Sequence, residues 1–191
     1  MEQAQRRRGA ELEAVLLDAA WGELMATGYT RLTMEAVAAR AHTGKQVLYR
    51  RWRNRAELVI AAMRHHTGSI IEDLPDTGSL RGDALGILQR MADRWEALGP
   101  DILHGLLAEA PDLDPEVYTR MTGAMATIVK QAAERGEIPT ADLPERVLTV
   151  PTNLMRHEML FTRKPIAPST LTEIVDDVFL PLVNGMRERS E

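Results

Sequence analysis

Apolar residues along this 191-residue chain recur at helical spacing almost throughout, and alternating, strand-like runs are nearly missing. Leu12, Val15, Leu16, Ala19, Ala20 and Leu24 mark one face of a first helix that ends near Gly28. Thr33 is a good N-cap for a second helix running to about Ala41. A third covers roughly Lys45–Arg51. A fourth opens at Asn54, where Glu57, three residues on, is placed to complete a capping box, and it dies in the turn-rich stretch Asp73–Ser79. Five more helices are expected near 80–98, 101–110, 114–135, 141–162 and 169–188, punctuated by Gly99-Pro100, Pro111, Gly136 and Lys164-Pro165. The pattern predicts an all-α protein with a small head, residues 1–58, joined to a larger helical body, residues 59–191.

The second and third helices carry the spacing of a helix-turn-helix. Ala38 is small where two helices must cross closely, and Leu48 is the apolar residue that pins the second helix against the first, with Val37 and Val47 completing a small core. His42 occupies the turn, where a positive φ is expected; glycine is the usual occupant, and histidine is among the residues that tolerate that region. Thr43 or Gly44 caps the third helix, and Thr43 with Gln46 could form a capping box. With Leu48 facing in, Lys45, Gln46, Tyr49 and Arg50 face out. Gln pairs bidentately with adenine, and Lys or Arg with guanine. Thr33 is placed to bond a phosphate, Arg53 and Arg55 to grip the flanking backbone, and Arg6–Arg8 to add a disordered basic arm. Trp52 reads as a core plug between the third and fourth helices rather than a base-stacking group.

Charge sharpens this picture. The whole chain carries a formal −5, which by itself argues against nucleic-acid binding. The distribution argues the other way. Residues 1–66 hold 11 Lys and Arg against 7 Asp and Glu, and residues 67–191 hold 12 against 21. Residues 40–55 contain six cations and no acid. Affinity for DNA depends on local phosphate neutralisation, so a basic head on an acidic body suits a DNA binder whose body is repelled from the duplex. Cysteine is absent, which excludes disulfides, thiolate nucleophiles and Cys-based zinc sites. No apolar run reaches the length of a membrane span, and the polar, basic N-terminus is unlike a secretory signal, so a cytoplasmic protein is expected, with no membrane partner.

The set Leu16-Leu17-Asp18-Ala19-Ala20, Gly28-Tyr29, Leu32-Thr33-Met34, Val37-Ala38, Ala41 and Lys45-Gln46-Val47-Leu48-Tyr49-Arg50-Arg51-Trp52, followed by Glu57-Leu58, resembles the DNA-binding domain of TetR/AcrR-type (tetracycline-repressor-like) regulators. The resemblance covers about residues 10–60. Tyr49-Arg50-Arg51-Trp52 echoes the family's Tyr-x-x-Phe/Trp signature; His42 stands where Gly is usual and Arg55 where Lys is common. More weakly, Asp76-Thr77-Gly78-Ser79-Leu80-Arg81-Gly82-Asp83 and Arg135-Gly136-Glu137-Ile138 look like a C-terminal domain found in many such regulators. The resemblance implies a nine- or ten-helix, omega-shaped homodimer on operator DNA. The last two long helices would form a four-helix bundle with their mates, and a small molecule bound in the body would reset the spacing of the heads.

The body can be read for both roles. Leu171, Ile174, Val175, Val178, Phe179, Leu182, Val183 and Met186 form a sustained stripe on the last helix, and with Leu154 and its neighbours on the preceding helix they offer a self-complementary dimer face. Pro151 and Pro181 should kink these two helices. Trp95, His104, Leu107, Met121, Met125, Met155 and Met159 give a Met-rich interior that suits an adaptable pocket for an effector, or simply a Met-packed core.

An enzyme and a helical adaptor are the two other classes of function open to a helical chain of this kind. An enzyme lacks support: there is no Gly-rich phosphate loop and no His-Glu-x-x-His helix, and the adjacent pairs His157-Glu158 and His65-His66 point about 100° apart on a helix and are expected to be unable to ligate one ion together. No metal and no cofactor are expected. The remaining alternative is a helical adaptor whose basic head binds a protein or an anionic surface, with salt-sensitive affinity and no sequence preference.

Overall fold

The computed structural model describes residues 2–68, 74–109, 115–161 and 165–187. It is 78% helix, and no strand occurs among the described residues. The helices are α1 (Glu2–Thr27), α2 (Met34–Arg40), α3 (Lys45–Tyr49), α4 (Arg55–Thr67), α5 (Leu80–Leu98), α6 (Pro100–Ala108), α7 (Pro115–Glu134), α8 (Glu145–Phe161), α9 (Pro168–Thr172) and α10 (Leu180–Arg187), with a 3₁₀ turn at Tyr29–Arg31 and a π-helical segment at Glu173–Phe179 joining α9 to α10. Asp73, Pro111 and Lys164, expected to punctuate the helices, lie outside the described residues. No helix among the described residues is long and apolar enough to cross a membrane.

The chain divides into two compact units. One comprises Met1–Ser69 with Asp101–Leu113, the other Ile70–Pro100 with Asp114–Glu191. Residues 59–68 and 101–109, which the sequence groups with the body, thus sit with the head. In this first unit α1 is the platform on which α2 and α4 pack. Leu16, Leu17, Ala19, Ala20 and Leu24 are buried as the helical stripe requires, whereas Leu12 and Val15, expected on the same buried face, are exposed in the middle of α1. Arg6–Arg8, expected in a disordered arm, lie within α1. Asn54 Oδ1 accepts from Glu57 N at 2.9 Å and caps α4, while the Glu57 carboxylate reaches back to Arg53 N at 2.8 Å, so the reciprocal bond closes one residue earlier than a standard capping box.

In the second unit α5, α7, α8 and the α9–α10 rod surround a core that includes Leu88, Trp95, Met125, Ile128, Met155, Val175 and Phe179. Two sequence segments separated by more than fifty residues meet at one end. Asp83, with no exposed surface, accepts from Thr77 N at 2.6 Å, from the Thr77 hydroxyl at 2.8 Å and from Arg135 Nη2 at 3.0 Å. Glu137 accepts from Leu80 N at 2.7 Å, and Arg135 also donates to Glu137 at 3.2 Å. Ser79 caps α5 by accepting from Gly82 N at 3.1 Å. This network ties the start of α5 to the end of α7 and explains why 76–83 and 135–138 stand out together in the sequence.

The π segment accompanies Pro181. Proline has no N–H to donate and its ring crowds the carbonyl four residues earlier. The ladder before it widens, so that Leu180 N bonds Val175 O, five residues back. Wide turns carry more residues each, and a stripe counted at 3.6 residues per turn does not stay on one face. Ile174, Val175 and Phe179, expected at a dimer interface, are accordingly buried in the protomer's own core, while Leu154, Val178 and Met186 are half-buried and Leu182 is exposed.

Removing the Arg135 guanidinium leaves a fully buried carboxylate short of its charged partner. Arg135→Ala is expected to lower stability, read as a lower urea midpoint, with Arg135→Lys recovering part of it. A loss within error would show that Asp83 is satisfied by Thr77 alone.

Candidate nucleic-acid interface

A tight turn joins α2 to α3. Thr33 Oγ1 accepts from Ala36 N at 3.1 Å and starts α2. Ala38 and Leu48 are buried where the two helices meet, with Val37 beneath them; Val47 is only half-buried. His42 has φ 51°, and no other non-glycine residue among those described has a positive φ. His42 N bonds Ala39 O at 3.1 Å and Thr43 N bonds Ala38 O at 2.9 Å, which closes the end of α2. Gly44 is the N-cap of α3, and no side chain caps that end, so the Thr43–Gln46 box is not formed. Trp52 is buried behind Leu48, as a core plug.

With Leu48 inward, α3 presents its other side to solvent. Lys45, Gln46, Tyr49 and Arg50 are all exposed, Tyr49 by 48% despite its large ring. Lys45 pairs with Glu35 of α2 at 3.2 Å, both side chains being well exposed. Glu35's own backbone N–H and Lys45 hold its carboxyl below the ordinary range. A pair in solvent contributes little and is screened by salt, so Lys45 can exchange this partner for an anion. Thr43 is half-buried and Gly44 exposed in the turn, and Thr33 before α2 and Arg53 after α3 are exposed.

Arg40 and Arg55 reach acids outside the stretch from α2 to α4, and Arg53 Nε lies 4.0 Å from Glu57. Arg40 turns back to Glu23 of α1 at 3.0 Å. Arg55, expected on the phosphate backbone, is the larger departure. Its Nε donates to Glu109 at 3.0 Å, its Nη2 pairs with the same carboxylate, its Nη1 donates to Leu32 O at 3.2 Å, and its guanidinium lies 4.8 Å from the centre of the Tyr29 ring. Tyr29, almost fully buried, donates its hydroxyl to Glu109 at 2.8 Å. Burial first, and the bond to Glu109 second, push the Tyr29 hydroxyl far above its ordinary pKa. Arg55 is held on three sides because α6 comes close enough that a Cβ at Gly105 would strike the Tyr29 ring. Nothing in the sequence marked Glu109: a single acid 54 residues from its partner carries no pattern.

The expected effector residues divide. Trp95, Met125, Met155 and Met159 are buried in the second unit; His104 is half-buried on α6, in the first. The side chains of Leu107 and Met121 lie outside the described residues. A groove of 390 Å³ runs between α8 and the π segment, lined by Leu154, Glu158, Thr170, Glu173, Ile174, Asp177 and Val178. His65 and His66, whose adjacency argued against a shared ligand, both direct Nε2 at one oxygen of Asp18 on α1, at 3.5 and 3.1 Å. The 100° between neighbouring Cβ atoms is offset by the length of the imidazole arms and by an acceptor on another helix.

Residues 16–62 match the bacterial regulatory proteins of the tetR family, and residues 74–178 match the tetracyclin repressor-like C-terminal domain. The chain belongs to the TetR family. It is 30% identical over 184 residues to the DNA-binding transcriptional repressor TetR of Mycobacteroides abscessus, covering 92% of this chain and 96% of that one. Over 181 residues it is 31% identical to an uncharacterized HTH-type transcriptional regulator of Mycobacterium bovis, covering 91% and 87% of the two chains. Among solved structures, a TetR family transcription regulator superposes with a TM-score of 0.69 at 24% identity, covering 88% of this chain and 97% of the other. A regulator assigned to the same family from Mesorhizobium loti gives 0.58 at 20%, covering 93% and 98%. This TetR-family chain is therefore a DNA-binding transcriptional regulator, and its helix-turn-helix is α2–turn–α3.

Two measurements check the interface. His42→Gly relieves a positive φ worth about 1–2 kcal/mol and loosens the unfolded chain by about 0.4–1, so it should stabilise the protein by about 0.5–1 kcal/mol; a lower thermal midpoint would contradict the strain. Arg55→Ala should lower stability by about 1–2 kcal/mol, allowing for a pair that is one-third exposed, and leave the salt dependence of DNA binding unchanged. A reduced salt slope would return Arg55 to the phosphates. Because Arg55, and then Tyr29, hold the Glu109 carboxyl below its ordinary 4.5, the stabilisation from this cluster is complete above that value and is lost as pH falls through the lowered one.

Proposed function

We propose that this regulator is a repressor that binds a palindromic operator in double-stranded DNA as a homodimer and yields it when a small-molecule effector binds. The observation that carries the reading is α3: a helix pinned by a fully buried Leu48 and presenting Lys45, Gln46, Tyr49 and Arg50 to solvent from a surface rich in cations. Lys45, Gln46, Tyr49 and Arg50 address base edges in the major groove. Thr33, Thr43, Gly44 and Arg53 position the backbone; Thr33 Oγ1 already accepts from Ala36 N and keeps its hydroxyl proton for a phosphate oxygen. The relative in Mycobacteroides abscessus, named a repressor, supports the direction of control.

DNA binding belongs to residues 1–58, and effector binding and dimerisation to 59–191. The dimer face is built from Leu154, Val178, Leu182 and Met186, extended by Leu160 and Phe161, which is 79% exposed at the end of α8. Apolar surface of that size, on two helices that lie against each other, is what a self-complementary bundle covers. The buried set Trp95, Met125, Met155 and Met159 is where an effector would displace flexible methionine side chains. Any ligand that favours a head arrangement unsuited to DNA lowers operator affinity by its differential binding to the two states. Catalysis has no part in this reading.

Selection of bound sequences from random duplex DNA tests it. The wild type should enrich a palindrome. Tyr49→Ala, at an exposed position, should keep the fold and lose about 1–3 kcal/mol on the enriched site. Salt-sensitive binding without an enriched sequence would favour an adaptor with a basic head instead.

A further inference from the structure

We propose that Asp18, His65 and His66 form a binding site for a divalent transition-metal ion, with Zn2+ the best fit, that fastens α4 to α1. The donor atoms are already gathered: Nε2 of His65 and of His66 lie 3.5 and 3.1 Å from the same Asp18 oxygen, and the three lie within 4.8 Å of one another. Bonds of about 2.0–2.1 Å to a four-coordinate ion place neighbouring ligand atoms about 3.3 Å apart. Two of the separations therefore match a tetrahedral edge, and the third closes by modest rotation of exposed imidazoles. Two imidazoles and one carboxylate are an N/O donor set suited to Zn2+, Co2+ and Ni2+ rather than to Mg2+ or Ca2+, which favour all-oxygen ligands.

A second feature supports the site. Trp21 stacks on the His66 ring, with centroids 4.9 Å apart and planes 15° from parallel, and the His65 ring stands edge-on to His66 at 5.1 Å. The stack fixes the His66 plane with its Nε2 toward Asp18, so one ligand is oriented before an ion arrives. All three residues are exposed, and the fourth position is open to water. The site lies wholly within the first compact unit and depends on neither the operator nor the effector reading.

Calorimetric titration of the full chain with ZnCl2 should show one ion per chain and a raised thermal midpoint. His65→Ala and Asp18→Asn should each weaken binding at least tenfold, whereas His42→Ala, at another exposed histidine, should not. Ni2+ should quench part of the tryptophan emission, because Trp21 lies against a ligand. The site is overturned if the wild type shows no saturable binding. It is equally overturned if binding persists in both variants, or if Ni2+ binds without quenching, which would place the ion elsewhere whatever the variants do.

Discussion

A helix of five residues does not persist in water by itself, because the first hydrogen-bonded turn costs more chain entropy than it returns. The reading helix α3 is that short. It exists because Leu48 is driven completely out of water against Ala38 and Val37, with Trp52 behind it. Everything the DNA-facing surface can do follows from that anchor. Once Leu48 points inward, the geometry of one helical turn sends Gln46, Tyr49 and Arg50 outward, while Lys45, three residues before Leu48, is exposed at the first residue of the helix. The turn before α3 must then bend tightly enough to need a positive φ, and the chain accepts it at His42.

Electrostatics on this surface is decided by which cations are already used. Arg40 and Arg55 lie in the same acid-free run as Lys45, Arg50, Arg51 and Arg53, yet they serve the fold through Glu23 and Glu109. The Arg55 cluster also brings α6 into the unit that carries the helix-turn-helix: Tyr29, Arg55 and Glu109 share bonds, and Gly105 leaves room for the Tyr29 ring. Movement of α6 would have to strain or break a charge-assisted contact at the base of α4. This gives the head a defined mechanical connection to residues far along the chain.

The second unit solves a different problem. It buries a carboxylate, Asp83, and surrounds it with Thr77 and Arg135 so that the ends of α5 and α7 are locked together. In the same unit, Pro181 forces a wide ladder into the last helix, whose Asp176 pairs with Arg81 at the start of α5. The widening rotates Val175 and Phe179 into the protomer's core and leaves Leu182 outside, so one apolar stripe is divided between core and surface.

Helix boundaries, the all-α class, the buried role of Leu48 and Trp52 and the positive φ at His42 were legible in the sequence, because each rests on local spacing or on a neighbour within one or two turns. So were Gln46, Tyr49 and Arg50 as outward residues of α3, which follow from the position of Leu48 alone. What the tertiary structure decided were the partnerships between distant residues. Arg55 looks like its basic neighbours until Glu109 arrives from α6 to claim it. His65 and His66 look divergent until Asp18 of α1 supplies a common target. The stripe on the last helix looks single until Pro181 changes the residues per turn. Sequence spacing encodes which way a side chain leaves its own helix; only the packing of helices fixes what it meets there.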